Sequence, residues 1–328
     1  MRRRDFIALA GGLAAAWPLA ARAQQDNRVQ HIGVFMNLPE GDPDGARWIA
    51  ALLKSLDEFG WTEGRNFRLD LRWGIDAAHL QKNAEELVAL NPDVIVAASA
   101  PAVRALQQAT RKVPIIFVAV TDPVTLGLVE SLARPGGNTT GFSPAELGLG
   151  AKWLQVLNEM APAVTRVGVF HNPANSGSVS QFAIVQAAAP SLGLEISVID
   201  TADRSAIEQT VATFANSPNG GLLALRIGEN ISLRDSLVAF AAQFRLPAIY
   251  PLRTFATAGG LASYGPDVAE EYRQAGGYVD RILRGEKPAN LPVQVASKYQ
   301  LVINLKTAKS LNLALPQTLQ ATADEVLE

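Results

Sequence analysis

The residues best suited to chemistry are polar side chains that each follow a short apolar run: Asn37, Ser99, Thr121-Asp122, His171-Asn172, Asn175-Ser176, Arg226, Glu229-Asn230 and Tyr264. The runs before them are rich in β-branched and aromatic residues, as parallel strands buried on both faces are. Ligands of open α/β sheets sit beyond the carboxyl ends of such strands. Several of these loops lead into a helix with Ser, Asp or Asn at its start, where free N–H groups and partial positive charge suit a carboxylate. Asp122 or Glu229 is placed to receive an ammonium group. Together the loops suit a zwitterion such as an amino acid. The same residues also have structural readings. Ser99, Ser143 and Asn172 fit helix caps, and Ser143-x-x-Glu146 fits a capping box. Asp122 before Pro123 fits a turn, and the rings of Tyr250 and Tyr264 could pack between lobes.

Enzyme signals are poor. The chain has three histidines, His31, His79 and His171. The first lies inside a strand and the second at a helix start, so no metal cluster and no metal ligand is expected. His171 alone is suitably placed, and no Ser or Cys nucleophile pairs with it in the sequence. Gly137-Asn138-Thr139-Thr140-Gly141 lacks the serine of a nucleophile elbow and precedes a strand. Neither G-x-G-x-x-G nor G-x-x-x-x-G-K-[ST] occurs, so neither dinucleotide nor P-loop chemistry is signalled. No catalytic residue and no cofactor is assigned. With 29 Lys and Arg against 31 Asp and Glu, and no basic run beyond the first residues, nucleic acid is not an expected partner. The absence of cysteine excludes disulfides, thiol chemistry and a lipid-anchored N-terminal Cys.

The elements that must position these residues follow from the pattern. A chain of 328 residues, 48% hydrophobic, can build two domains with separate cores. Its organising stretch is Val113–Glu146. Pro114–Val120 reads as a buried strand and Thr121-Asp122-Pro123 as its polar end. A short helix, a break at Pro135-Gly136-Gly137-Asn138, a second strand at Thr139–Ser143 and a new helix start at Ser143 follow. Before it the chain alternates strand and helix from Val29. After it the alternation resumes, ending with a long helix opened by Gly265-Pro266-Asp267, a strand near Gln300–Ile303, and helices near Leu305–Leu311 and Ala323. Two similar α/β halves with parallel strands are expected. The seam lies near Gly137–Ser143, with further crossings near Gly265 and Leu291. Residues 29–142 with about 266–291 form the first lobe, and 143–265 with about 292–328 the second.

The N-terminus reads as an address. Arg2-Arg3-Arg4, an apolar run from Ala8 to Leu19 and Ala21-Arg22-Ala23 form a signal peptide over 1–23, cleaved after about Ala23. Arg3-Arg4-Asp5-Phe6-Ile7 fits the twin-arginine pattern. The mature chain is expected to be soluble, periplasmic and monomeric.

Several runs carry a family resemblance: Phe117-Val118-Ala119-Val120-Thr121-Asp122-Pro123-Val124, Ser131-Leu132-Ala133-Arg134-Pro135-Gly136-Gly137-Asn138-Thr139-Thr140-Gly141-Phe142, Ser263-Tyr264-Gly265-Pro266, and Leu301-Val302-Ile303-Asn304-Leu305-Lys306-Thr307-Ala308-Lys309. Through them the chain resembles the ABC transporter substrate-binding proteins of the tryptophan/tyrosine type. The resemblance implies a type I periplasmic binding architecture with two Rossmann-like lobes, three hinge crossings and a small-molecule ligand between them. It also implies an ABC permease in the inner membrane as partner. Matched by motif, the ligand contacts fall on Asn37, Ser99, Ala100, Thr121, Asp122, Ser143, Asn172, Asn175, Arg226, Glu229 and Tyr264. The chain departs from many relatives by Ser99-Ala100 in place of a glycine pair, and by Arg226-Ile227-Gly228-Glu229 where an acidic-Pro-aromatic pattern is common. The alternatives are a periplasmic sensor subunit and, more distantly, a hydrolase using His171.

Overall fold

The computed structural model of the protein describes residues 28–74, 77–144, 149–296 and 298–328, without the side chains of residues 77, 78, 176, 228, 229 and 296. The signal peptide over 1–23, the Glu146 half of the capping box and the Glu229 side chain lie outside the described residues. The first lobe opens with β1 (Gln30–Met36), α1 (Pro43–Glu58), β2 (Phe67–Trp73), α2 (Ala77–Ala89), β3 (Val94–Ala98), α3 (Ala100–Ala109), β4 (Ile115–Val118) and β5 (Thr139–Pro144). The second contains α4 (Leu149–Met160), β6 (Arg166–His171), α5 (Ser176–Ala188), β7 (Glu195–Asp200), α6 (Ile207–Ala215) and β8 (Gly220–Ala224), followed by α7 (Gly228–Ser232), α8 (Arg234–Gln243), β9 (Ala248–Tyr250), α9 (Arg253–Thr257) and β10 (Ala262–Pro266). The chain then returns to the first lobe for α10 (Val268–Leu283) and β11 (Gln294–Ala296). It ends in the second with β12 (Tyr299–Asn304), α11 (Leu305–Ser310), α12 (Gln317–Thr322) and β13 (Glu325–Leu327).

Strand order is β11-β5-β4-β3-β1-β2 in one sheet and β13-β12-β10-β9-β8-β6-β7 in the other. Among the described residues every pairing is parallel except β10 with β12. The apolar runs that specified buried strands are buried throughout, as in β3 and β8. Three crossings join the lobes: after β5, between β10 and α10, and between β11 and β12. The third lies a few residues beyond the position expected near Leu291, because Gln294–Ala296 still pairs with β5. Ser143, expected to open a helix in the second lobe, is instead in β5 opposite Val295.

Other expectations change in instructive ways. The strand expected over Pro114–Val120 ends at Val118, because Ala119 turns to φ 57° and leaves the ladder. The short helix expected after Asp122 is a series of turns around Gly127, at φ 67°, held from α3 by Arg104 to the Leu126 carbonyl (3.0 Å) and Gln107 to the Leu128 carbonyl (2.9 Å). The helix expected near Ala323 ends at Thr322, and Glu325–Leu327 adds a strand beside β12.

Helix α10 belongs to the first lobe by packing. Its buried stripe of Val268, Tyr272, Ala275, Val279 and Ile282 lies against α1, β3, β4 and β5, with Tyr272 stacked on Trp48 at 5.7 Å. The approach of α10 to α1 requires glycine at 276, where a Cβ would meet the Ser55 Cβ at 2.7 Å. Gly141 is required for a similar reason, since a Cβ there would strike the Phe117 carbonyl across the β4–β5 pair.

Candidate functional site

The carboxyl ends of β1, β3 and β4 form the first-lobe wall. Three non-glycine residues there have positive φ: Ser99 at 79°, Ala119 at 57° and Asp122 at 46°. Each such conformation costs on the order of 1–3 kcal/mol and persists only where its surroundings enforce it. For Ala119 the enforcing group is Glu271 of α10, whose Oε2 accepts the Ala119 N–H at 2.6 Å. Glu271 is only 2% exposed, and its other oxygen accepts no hydrogen bond among the described residues. Burial pushes its carboxyl up to about 7, against the opposing pull of the Arg226 charge and the Ala119 N–H. On the same wall the buried Asn37 Oδ1 also accepts no hydrogen bond among the described residues.

Arg226 faces this wall from the second lobe. It follows β8 and is 5% exposed. Its backbone is gripped by the Gln181 side chain of α5, which accepts the Arg226 N–H (2.9 Å) and donates to its carbonyl (3.1 Å). Asn230 ties the same loop to β6 and β8 by donating to the Phe170 and Leu225 carbonyls (2.9 and 3.0 Å). Held this way, the guanidinium reaches across the cleft. Nη1 donates to Thr121 Oγ1 at 2.6 Å and Nη2 to the Ala119 carbonyl at 3.3 Å. Arg226 and Glu271 therefore hold the same residue, Ala119, from opposite lobes.

Farther out, the N-terminal turn of α1 contributes two acids to the lobe contact. Asp42 caps its own helix through the Asp44 N–H (2.9 Å) and pairs with Arg234 of α8 at 3.0 Å. Asp44 pairs with Arg253 of α9 at 2.6 Å, and Arg253 also holds Glu325 of β13 at 2.6 Å. One buried apolar cluster runs from Met36, Leu38 and Trp48 of the first lobe into Leu252 and Phe255 of the second. The lobes are closed on each other.

The expected site residues divide by surroundings. Thr121 and Arg226 meet directly. Asn37, Ser99 and Ala100 stand on the first-lobe wall, but Ser99 makes no side-chain cap bond. Asp122 is exposed, and its Oδ1 accepts the Thr125 N–H at 3.2 Å, fixing a turn. Asn172 and Asn175 order the loop after β6. The first accepts the Ala174 N–H (2.9 Å), and the second caps α5 through the Ser178 N–H (3.1 Å). The Tyr264 carbonyl accepts from Trp153 Nε1 (2.6 Å), and its ring stacks on Tyr299 at 6.1 Å. Tyr250 is buried and stacks on Phe255 of the same lobe at 5.0 Å.

His171 does find a hydroxyl, Ser178 Oγ, 2.7 Å from Nδ1, and burial holds the imidazole below its ordinary value. That hydroxyl has no exposed surface and also accepts the Asn172 N–H at 2.9 Å. The pair braces the loop and presents no nucleophile. Among the described residues no group of three or more His, Cys, Asp or Glu could hold a metal ion.

Glu271 was missed in the sequence, where Glu270-Glu271 passes for first-turn acids answering the helix dipole. A finer signal was present: Glu271 shares the helical stripe of Val268, Ala275 and Tyr278, where a carboxylate is out of place.

Two facing α/β lobes, three crossings and a cleft walled by polar strand ends define a two-lobed ligand-binding protein. The family model described as ABC transporter substrate binding protein matches residues 45–327, and the chain belongs to that family. A curated relative, the tyrosine-binding protein of Clostridioides difficile strain R20291, is 26% identical over 291 residues, which are 87% of this chain and 81% of that one. Among solved structures, an ABC domain in complex with L-Trp from Streptococcus pneumonia overlaps with TM-score 0.80 at 25% identity, covering 91% of this chain and all of that one. A conserved domain protein of Vibrio cholerae overlaps with TM-score 0.79 at 29% identity and the same coverage.

Proposed function

We propose that this substrate-binding protein closes on an amino acid or related carboxylate and delivers it to an ABC permease in the inner membrane. The observation that carries the reading is Arg226, a buried guanidinium fixed on one lobe and hydrogen-bonded to the other. It has the fork geometry and permanent charge that recognise a carboxylate. The tyrosine-binding relative and the L-Trp complex support the same ligand class. Thr121 and Arg226 form the centre of the proposed site, with Asn37, Ser99, Ala100, Ser143, Asn172, Asn175 and Tyr264 around it and Asp122 and Glu229 toward its rim.

In this reading the first lobe comprises 28–144 with 267–296, and the second the intervening segment with 298–328. The signal over 1–23 directs export to the periplasm, where the chain acts as a monomer. Among the described residues no helix is long and apolar enough to cross a membrane. A thermal-shift screen of the protein L-amino acids and aromatic acids tests the ligand class, since a molecule that binds only the native state raises the melting temperature. An amino acid or carboxylate is expected to raise it, and Arg226→Gln is expected to abolish the shift. No shift with any member of the panel would overturn the reading.

A further inference from the structure

We propose that Glu271 is a ligand-binding residue, its Oε1 receiving the cationic amine of the ligand while Arg226 takes the carboxylate. The inference rests on the amino-acid reading above and deepens it. Glu271 is set on the buried stripe of α10 with one oxygen committed to the Ala119 N–H and the other accepting no hydrogen bond among the described residues. A buried acceptor left unsatisfied costs about 1–3 kcal/mol, more for a charged group. A carboxylate at this position is therefore expensive as structure alone. The Ala119 N–H needs only one acceptor, which a neutral amide would supply.

Its location supplies the reason for it. Glu271 and Arg226 meet at Ala119 from opposite lobes, so the closed cleft carries its own acid and its own base side by side. A zwitterion inserted between them places its ammonium on Glu271 and its carboxylate against Arg226, in a site of low dielectric where such contacts are strong. Asn37 Oδ1, on the same wall two strands from Ala119, offers a further acceptor to the donor-bearing end of the ligand. Arg226 alone would accept any carboxylate. Glu271 adds the demand for an amine.

The charged groups facing Glu271 are Arg226 from the second lobe and Asp267 at the cap of α10. Asp267 is itself paired with Arg47 of α1 (3.6 Å) and Lys298 (3.2 Å). Strands β3, β4 and β5, also packed against α10, carry no ionisable side chain. With burial holding the Glu271 carboxyl up near 7, the group is largely protonated in the ligand-free protein at pH 5–6. Binding an ammonium requires it ionised, so the ligand expels a proton there. Affinity rises as pH increases from 5 to 7 and levels above.

The test uses the full mature chain, its Glu271→Gln and Glu271→Asp variants, and the protein L-amino acids, each beside its deaminated acid. Binding is followed by thermal shift and by calorimetry in buffers of different ionisation enthalpy. The wild type is expected to prefer the amine-bearing partner by about tenfold or more and to release a proton at pH 6. Glu271→Gln is expected to bind both partners about equally with no proton release, and Glu271→Asp to recover part of the preference. The response of Glu271→Gln to the deaminated acid shows that the variant is folded. Amine preference and proton release unchanged in Glu271→Gln would overturn the assignment and leave the amino-acid reading standing. Binding of deaminated acids alone would overturn the assignment and leave only the carboxylate reading. No response to any amine-bearing molecule, with none to a carboxylate, would overturn both.

Discussion

Three residues at strand ends hold conformations their side chains disfavour, and Ser99 is the most extreme. Its φ of 79° and ψ of 146° lie close to a region that glycine almost monopolises. Its hydroxyl makes no cap bond in return. Its N–H donates to the Val118 carbonyl at 3.4 Å and its carbonyl accepts from Val103 at 3.2 Å, so the end of β4 and the first turn of α3 impose the conformation. Relief of about 1–3 kcal/mol of strain, less the roughly 0.5–1 kcal/mol that glycine adds to chain entropy, makes Ser99→Gly stabilising by about 1 kcal/mol. A higher urea midpoint with unchanged slope would bear this out, and a lower midpoint would refute it. Strain of this kind cannot be read from sequence. Ser99 before Ala100-Pro101 looks like an ordinary cap, and the torsion that distinguishes it comes from how β3 and α3 are joined. The apolar runs before Thr121 and Arg226, in contrast, put both residues in the loops just beyond β4 and β8, although each strand stops a residue or more short of its apolar run.

At the scale of elements, the N-terminal turn of α1 is the part least visible beforehand and most consequential for closure. The alternation of strands and helices was legible from hydrophobic spacing. The partners of Asp42 and Asp44 lie 192 and 209 residues away in sequence, so both acids look like helix-start residues and nothing more. Placed on a helix terminus, they are partly compensated by its dipole before they meet Arg234 and Arg253. Their carboxylates are almost wholly buried and both arginines mostly so, which puts each pair between the negligible value of an exposed bridge and the several kcal/mol lost on breaking a buried one. Asp44→Ala is therefore expected to cost about 1–2 kcal/mol. Arg253→Ala should cost more, since Glu325 also loses its bidentate partner. Because the residues share one contact, the double variant should melt close to Arg253→Ala instead of at the sum of the two shifts. Additive shifts in the melting curves would show that the pair does not couple the lobes.

For the molecule as a whole, these contacts mean that closure is stabilised by the protein's own groups: the Arg226 reach to Thr121 and Ala119, the two acid–arginine pairs, and the apolar cluster shared by both lobes. A ligand shifts a two-state equilibrium only by its differential affinity for the two states. Part of the work of closing is thus already done when it arrives, and affinity is not reduced by a scarce competent state. Moving a population from 99:1 to parity takes about 2.7 kcal/mol, half of the roughly 5.5 kcal/mol needed for full inversion. Two partly buried pairs at about 1–2 kcal/mol each are of that size. The unliganded wild type is accordingly expected to give a small-angle scattering curve close to that of the closed structure. Asp42→Asn/Asp44→Asn should show a larger radius of gyration that returns to the wild-type value when a stabilising ligand from the thermal-shift panel is added. Raising the salt concentration should expand the wild type only slightly, because pairs with buried carboxylates are poorly screened. If the unliganded wild type proves as expanded as the double variant, the ionic contacts do not hold the lobes together, and closure depends on the ligand alone.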